Sequence, residues 1–340
     1  MRMKEQKATL KGKKILFFAP AFFNYENVIR DKMKEMGAEV YLYDERSVKK
    51  ASLRALNKIV PSWFRHHSYH YFHRIFFKHK DEDFDYVVVI KSDMIPERSL
   101  IEAKTLFKKA KLILYLYDSI KEVPGVEKKF SYYDRVLSFD RGDTLIHPNI
   151  VFRPLFFSDD YVAPPGIEAY KYDVAFMGTI HADRFRILKG LIKEVEEKQL
   201  CAYWFFYLQA NFMFYWYWLT KKEFKLSDKR YFTTKRKTGK EIASIVEQTR
   251  VIIDIEAPSQ NGLTMRTIEM LGLKKKLATT NKDIVNYDLY DPNNICVINR
   301  ENPHLPDSFA DSPYKEVPDD IYTKYHISSW ILDVLGLNNE

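Results

Sequence analysis

At 340 residues the chain is long for one core, so two domains of about 150 residues each are expected. Hydrophobic and charged contents of 46% and 29% are ordinary for a globular protein, and two cysteines, Cys201 and Cys296, exclude a disulfide framework and a thiolate metal site. A formal net charge of +8 with 15% aromatic residues suits an anionic partner: a nucleotide, an acidic membrane surface or a nucleic acid. No signal peptide is evident, so a reducing cytoplasm is the expected compartment.

Residues 13–19 read as a first strand, 20–24 as a turn and 25–36 as a helix stopped by Gly37. The 19–24 loop lacks the glycines of a dinucleotide fingerprint and is expected to shape a pocket. A second strand follows at 39–43, then a helix over 47–80 interrupted at Pro61. His66, His70 and His73 sit there at helical spacing. No carboxylate or cysteine completes a metal set locally, and a basic amphipathic helix carrying Trp63, Phe64, Phe72 and Phe76 is the better description. Strands are expected at 86–90, 112–117, 135–139 and 150–152, with a helix at 96–109. Asp118 ends the fourth strand, where it could act as a general base on a hydroxyl or cap the next helix. Asp140 and Asp143 are weaker candidates of the same kind and also resemble a metal-type Asp-x-x-Asp pair.

Residues 154–170 read as a linker, after which strand and helix alternate again. Strands are expected at 172–177, 201–208, 251–255, 277–280 and 295–298, with helices at 184–198 and 240–248 and a closing helix at 322–337. Such alternation means parallel sheets covered on both faces. The expected domains are 1–160, 161–320 and a closing helix in 321–340 that packs back on the first. Two doubly wound halves place a cleft between the carboxyl ends of the sheets.

The stretch QNGLTMRTIEMLGLKKKLATTN, 260–281, organises the second half. Gln260, Asn261 and Gly262 form a turn, Leu263 and Thr264 lead into a helix, and Met265, Ile268 and Leu271 make its inward stripe. Arg266 and Glu269 share another face. Strand, glycine turn and helix N-terminus together suit an anion, to which Arg266 adds a two-pronged donor. The alternative is an ordinary strand-to-helix connection with a solvated Arg–Glu pair. Gly178 and Thr179 end an earlier strand, with His181 and Arg184 just beyond. The glycine would let a ligand approach the backbone, and Arg184 could neutralise a diphosphate. Residues 201–219, CAYWFFYLQANFMFYWYWL, approach the length of a membrane span but are broken by Gln209 and Asn211. The basic run after them suits attachment to anionic lipid, or else marks a solvated loop beside a buried strand and helix.

Together with YDVAFMGTIHADR and YDRVLSFDRGD, the central stretch resembles bacterial glycosyltransferases of capsule, exopolysaccharide and lipopolysaccharide synthesis. The similarity extends through RPLFF and NNICVINRENP, from about residue 84 to 330, and leaves the first 80 residues as a Rossmann-like start only. It implies an α/β fold of two Rossmann-like domains facing across a cleft, the GT-B fold. It also implies a nucleotide-sugar donor as substrate, no cofactor, no bound metal, and a glycan or polyprenyl-linked glycan as acceptor; no nucleic acid is expected, since the basic aromatic segment lacks a recognised nucleic-acid motif. Gly178, Thr179, Arg184, Gln260, Asn261, Gly262, Leu263, Thr264 and Arg266 would then hold the diphosphate, and Glu269 the ribose. Asp118 would be the base, and His181 would assist the leaving phosphate or touch the sugar. Asn261 stands where many retaining members have a glutamate, so the stereochemistry stays open.

Overall fold

A computed structural model describes residues 10–48, 61–164, 170–180, 183–222, 224, 231–258 and 261–338. The chain divides into two compact units: one runs to Leu155 and resumes at Ile327, and the other is Phe156–His326.

The first unit carries six parallel strands: β1 (Lys14–Phe18), β2 (Glu39–Tyr43), β3 (Tyr86–Ile90), β4 (Lys111–Leu116), β5 (Arg135–Ser138) and β6 (Val151–Phe152). Their order is β2-β1-β3-β4-β5-β6. All five residues of β3 are buried, which explains the unbroken apolar run YVVVI, because a parallel sheet wrapped by helices has no wet face. The helices are Tyr25–Glu35, Pro61–Lys78, Glu97–Leu106 and Arg141–Ile146, joined by the chain's last helix, Ile327–Leu335. Trp330 of that helix is fully buried with its ring 4.8 Å from Tyr115, and Asp333 pairs with the buried Arg153 at 2.6 Å.

The second unit has β7 (Tyr172–Thr179), β8 (Ala202–Tyr207), β9 (Phe232–Thr233), β10 (Thr249–Asp254), β11 (Lys276–Thr279) and β12 (Ile295–Val297), all parallel. The order β12-β11-β10-β7-β8-β9 is the doubly wound one, reversing direction between β7 and β10. Its helices include Arg184–Glu197, Asn211–Thr220, Gly239–Glu247 and Met265–Gly272.

Two expectations change. The 154–170 linker is packed in its described part: Leu155, Phe156, Phe157 and Ser158 are buried, and Ala163 N–H donates to the Gly272 carbonyl at 3.0 Å. The closing helix is two helices, Asp319–Lys324 and Ile327–Leu335. At the break His326 forms a parallel bridge with Phe157, whose N–H donates to the Tyr325 carbonyl at 2.9 Å. Residues 201–219 form the expected strand, Ala202–Tyr207, and a separate helix, Asn211–Thr220, which begins just past Gln209. Among the described residues no helix is long and apolar enough to cross a membrane.

Candidate functional site

In a doubly wound sheet, ligands gather at the carboxyl ends of the strands where the order reverses. In the second unit that point lies between β7 and β10, and polar side chains from four strand ends meet there. Asp254 closes β10, and its Oδ2 accepts from the Thr264 hydroxyl at 2.5 Å and the Thr267 hydroxyl at 3.1 Å. Thr264 is the N-cap of Met265–Gly272, its Oγ1 accepting from Thr267 N–H at 3.1 Å. One first-turn donor is therefore taken, and an internal carboxylate already lies at the helix start where an external anion was expected. Two residues of the expected phosphate loop have structural roles that limit them. Leu263 is buried, so only its backbone could meet a ligand, and Thr264 spends its hydroxyl on the cap. Asn261 is exposed and Gly262 is buried; the Asn281 amide pins them by donating to the Asn261 carbonyl at 2.9 Å and the Gly262 carbonyl at 3.4 Å. Gln260 and His181 lie outside the described residues.

Arg184 is the first residue of its helix, and its Nη1 donates to the Thr179 carbonyl at 2.7 Å. Burial lowers its pKa, while Asp254 and Glu256 act in the opposite sense and the charges of Arg300 and Arg266 add to the lowering. Its buried Nε has no hydrogen-bond partner, which leaves one donor of the guanidinium uncommitted. Packing also keeps Gly178 small: a Cβ there would come within 2.9 Å of the Phe176 ring and 3.6 Å of Arg184 Nη1. Arg266 Nε stands 3.7 Å from the Glu269 carboxylate, which is buried. The Tyr161 hydroxyl also hydrogen-bonds Glu269, and burial followed by that carboxylate raises the phenol pKa well above its ordinary value.

Arg300, three residues beyond β12, was not singled out in the sequence. Its Nη2 donates to the Glu256 carbonyl and carboxylate, both at 2.7 Å, and its Nη1 to both Asp183 oxygens at 3.1 Å. Burial works against its charge, but these partners outweigh it and raise the pKa. Glu256 is completed by the Thr280 hydroxyl at 2.7 Å. Glu256 and Arg300 are 44 residues apart, so no local spacing could reveal the pair; the only hint was that NNICVINRENP already carried the resemblance. Arg266 and Arg300 thus both stand within electrostatic reach of Arg184, among four carboxylates, Asp183, Asp254, Glu256 and Glu269. This set can orient a polar, anionic ligand by directional donors, and no bare positive field is involved.

In the first unit Asp118 follows β4 and is half-exposed, its Oδ2 2.7 Å from Lys91 Nζ. Burial would lower the Lys91 pKa, but Asp118 outweighs it and the pKa is raised. Asp118 does not cap the next helical turn, whose N-cap is Ser119. Lys91 and Ser92 both have left-handed backbone, φ 82° and 59°, an uncommon stretch for two residues with side chains. Asp140 and Asp143 are committed to structure. Asp140 caps Arg141–Ile146 and accepts from Ser119, while Asp143 accepts from Ser138 at 2.7 Å and from Ile120 N–H at 3.1 Å. His66 and His70 face each other at 2.9 Å, whereas His73 turns to Glu102 at 2.5 Å. Among the described residues no three His, Cys, Asp or Glu side chains are grouped to hold a metal ion.

No protein-family model matches the chain. No curated protein matches it either. Solved structures do. The chain is similar to OtsA in its apo form (9% identity over 95% of this chain and 99% of that one, TM-score 0.57). It is similar to a glycosyltransferase from Rickettsia africae (13%, 96% and 95%, TM-score 0.54) and to MnaA of S. aureus solved with UDP (12%, 96% and 98%, TM-score 0.53). Structures assigned as UDP-N-acetylglucosamine 2-epimerases match as well. At such identities the likeness establishes the fold and nothing finer: two six-stranded parallel α/β domains of the GT-B class, shared by glycosyltransferases and these epimerases.

Proposed function

We propose that the chain is a glycosyltransferase that moves a sugar from a nucleotide-sugar to an acceptor in capsule, exopolysaccharide or lipopolysaccharide synthesis. The observation that carries this reading is the Arg184–Arg266–Arg300 set at the switch point of the second unit's sheet. The R. africae glycosyltransferase and UDP-holding MnaA share the fold. In this reading Arg184, with its uncommitted Nε, and Arg266 hold the donor's diphosphate beside Gly178, Thr179, Asn261 and Gly262. Glu269 takes the ribose hydroxyls. The acceptor oxygen forms a bond to the sugar's anomeric carbon as the bond from that carbon to the phosphate oxygen breaks. The acceptor proton passes to a carboxylate, for which Asp118 is the proposed base. The nucleoside diphosphate leaves with its charge met by the arginines, and His181 is proposed to assist it.

The test is calorimetry with uridine, guanosine, cytidine and adenosine diphosphates, followed by incubation with the sugar form of whichever binds. One of the four should bind, and Arg184→Ala should weaken it at least tenfold, about 1.4 kcal/mol. Without acceptor, slow release of free sugar is expected. Appearance of an epimerised sugar would instead make the chain an epimerase. Binding with no turnover on any acceptor would make it a non-catalytic nucleotide-sugar or lipid-linked-glycan binding partner.

A further inference from the structure

The Asn211–Thr220 helix is held to the second unit by one face. The Phe214 ring lies 5.2 Å from Phe232, the Tyr217 ring lies 5.0 Å from Phe224, and Met213 joins the same core. On the opposite face Phe212, Tyr215, Trp216 and Leu219 recur at positions i, i+3, i+4 and i+7, a single stripe along the axis. They are 70%, 55%, 61% and 67% exposed, with Trp218 at its margin. Four large apolar or aromatic side chains on one outward helix face make a contiguous patch, unlike the scattered single residues normal on a surface.

What surrounds the stripe decides its partner. No acidic residue occurs from 202 to 222, and 221–237 holds eight lysines and arginines against two acidic residues. Among the described ones, Lys221 and Lys222 follow the C-terminal end of the helix and are exposed. Lys235 and Arg236 are exposed beside its start, where the Thr234 hydroxyl meets the Asn211 side chain at 3.3 Å. Basic side chains therefore flank both ends of a tryptophan- and tyrosine-bearing stripe. Tryptophan and tyrosine favour the zone between headgroups and acyl chains, and lysine and arginine favour anionic headgroups. A protein partner burying this stripe would also have to accept the basic flanks, whereas an anionic bilayer satisfies both at once.

We infer that the Asn211–Thr220 helix is a docking surface for an anionic lipid bilayer, lying in the headgroup plane with Phe212, Tyr215, Trp216 and Leu219 inserted. This is independent of the sugar-transfer reading.

The test is flotation of the full chain with vesicles of phosphatidylcholine alone and of phosphatidylcholine with 30% phosphatidylglycerol, a fraction chosen on the order of a strongly anionic membrane. Binding to the anionic vesicles should be at least tenfold tighter than to neutral ones, weaken with salt, and shift tryptophan emission to the blue. The triple variant Phe212→Ser, Trp216→Ser, Leu219→Ser should lose at least tenfold, and Lys235→Glu with Arg236→Glu should remove the preference for anionic lipid. Because the three positions are exposed, circular dichroism should be unchanged. Leu145→Ser with Ile146→Ser, on exposed apolar residues of the first unit, should leave binding as it was. The inference is overturned by equal or absent binding to both vesicles, or by a folded triple variant that still binds. It is also overturned if the triple variant abolishes self-association or single-stranded RNA binding in place of vesicle binding.

Discussion

Arg300 grips Glu256 through both its main-chain and its side-chain oxygen, each 2.7 Å from the same Nη2. A single guanidinium thereby ties the segment after β12 to the segment after β10, and its other nitrogen reaches Asp183 ahead of the Arg184 helix. Glu256 is buried, so removing its partner leaves an uncompensated charge. Arg300→Ala should destabilise the protein by about 3–5 kcal/mol in urea unfolding. Arg300→Lys should recover little of that, since a point charge cannot span four acceptor oxygens. A loss under 1 kcal/mol in the alanine variant would mean that the pair is solvent-screened and does not organise the site.

Glu269 makes a prediction specific to ribose recognition. The parent protein should prefer a ribonucleoside diphosphate over its dideoxy counterpart by about 10- to 100-fold, since a hydrogen bond to a charged group contributes about 1.5–3 kcal/mol. In Glu269→Ala that preference should vanish, with both analogues bound at the parent's weaker affinity. Calorimetry on both analogues checks it, and a preference that survives in the variant rules Glu269 out as the ribose ligand.

The first unit holds a pH-sensitive carboxyl. Glu45 is fully buried, its Oε1 accepts from Met94 N–H at 2.7 Å and Ile95 N–H at 3.3 Å, and burial pushes its pKa up to about 8. The folded protein keeps this proton where the unfolded chain has released it. The resulting stability is full below the ordinary carboxyl pKa and is lost as pH rises toward 8, by about 1 kcal/mol per unit. Glu45→Gln keeps the acceptor oxygen without the ionisation. Its stability relative to the parent should therefore rise between pH 5.5 and 8 in guanidinium titrations. Lys129, its pKa lowered by burial, is present in both proteins. A parallel pair of stability curves would show that Glu45 is ionised in the fold.

Two glycines should respond with opposite sign. A Cβ on Gly272 would lie 2.4 Å from the Tyr161 carbonyl and 2.6 Å from the Phe157 ring, so Gly272→Ala should cost at least about 1–3 kcal/mol and disturb Tyr161 over Glu269. At Gly239, the first residue of its helix, a Cβ meets nothing within 4 Å. Gly239→Ala should stabilise by about 0.4–1 kcal/mol. Thermal unfolding of both variants decides the matter.

Strand identity was legible because buried parallel strands carry unbroken β-branched runs: YVVVI and VIID needed no context. The Met265–Gly272 helix was legible for the same local reason, its stripe of Met265, Ile268 and Leu271 following directly on the Gly262 turn. For the Asn211–Thr220 helix the sequence left a strand and helix open beside a surface-attached segment, since aromatic residues all round leave no periodicity until packing chooses which face is buried. Nor could the sequence show that Asp254 would fill the anion place at the next helix, or that Arg300 would join Glu256. Local spacing determines which element forms and where it stops. Which polar side chains share a strand edge depends on the order in which parallel strands pair, and that order is set by packing between segments tens of residues apart.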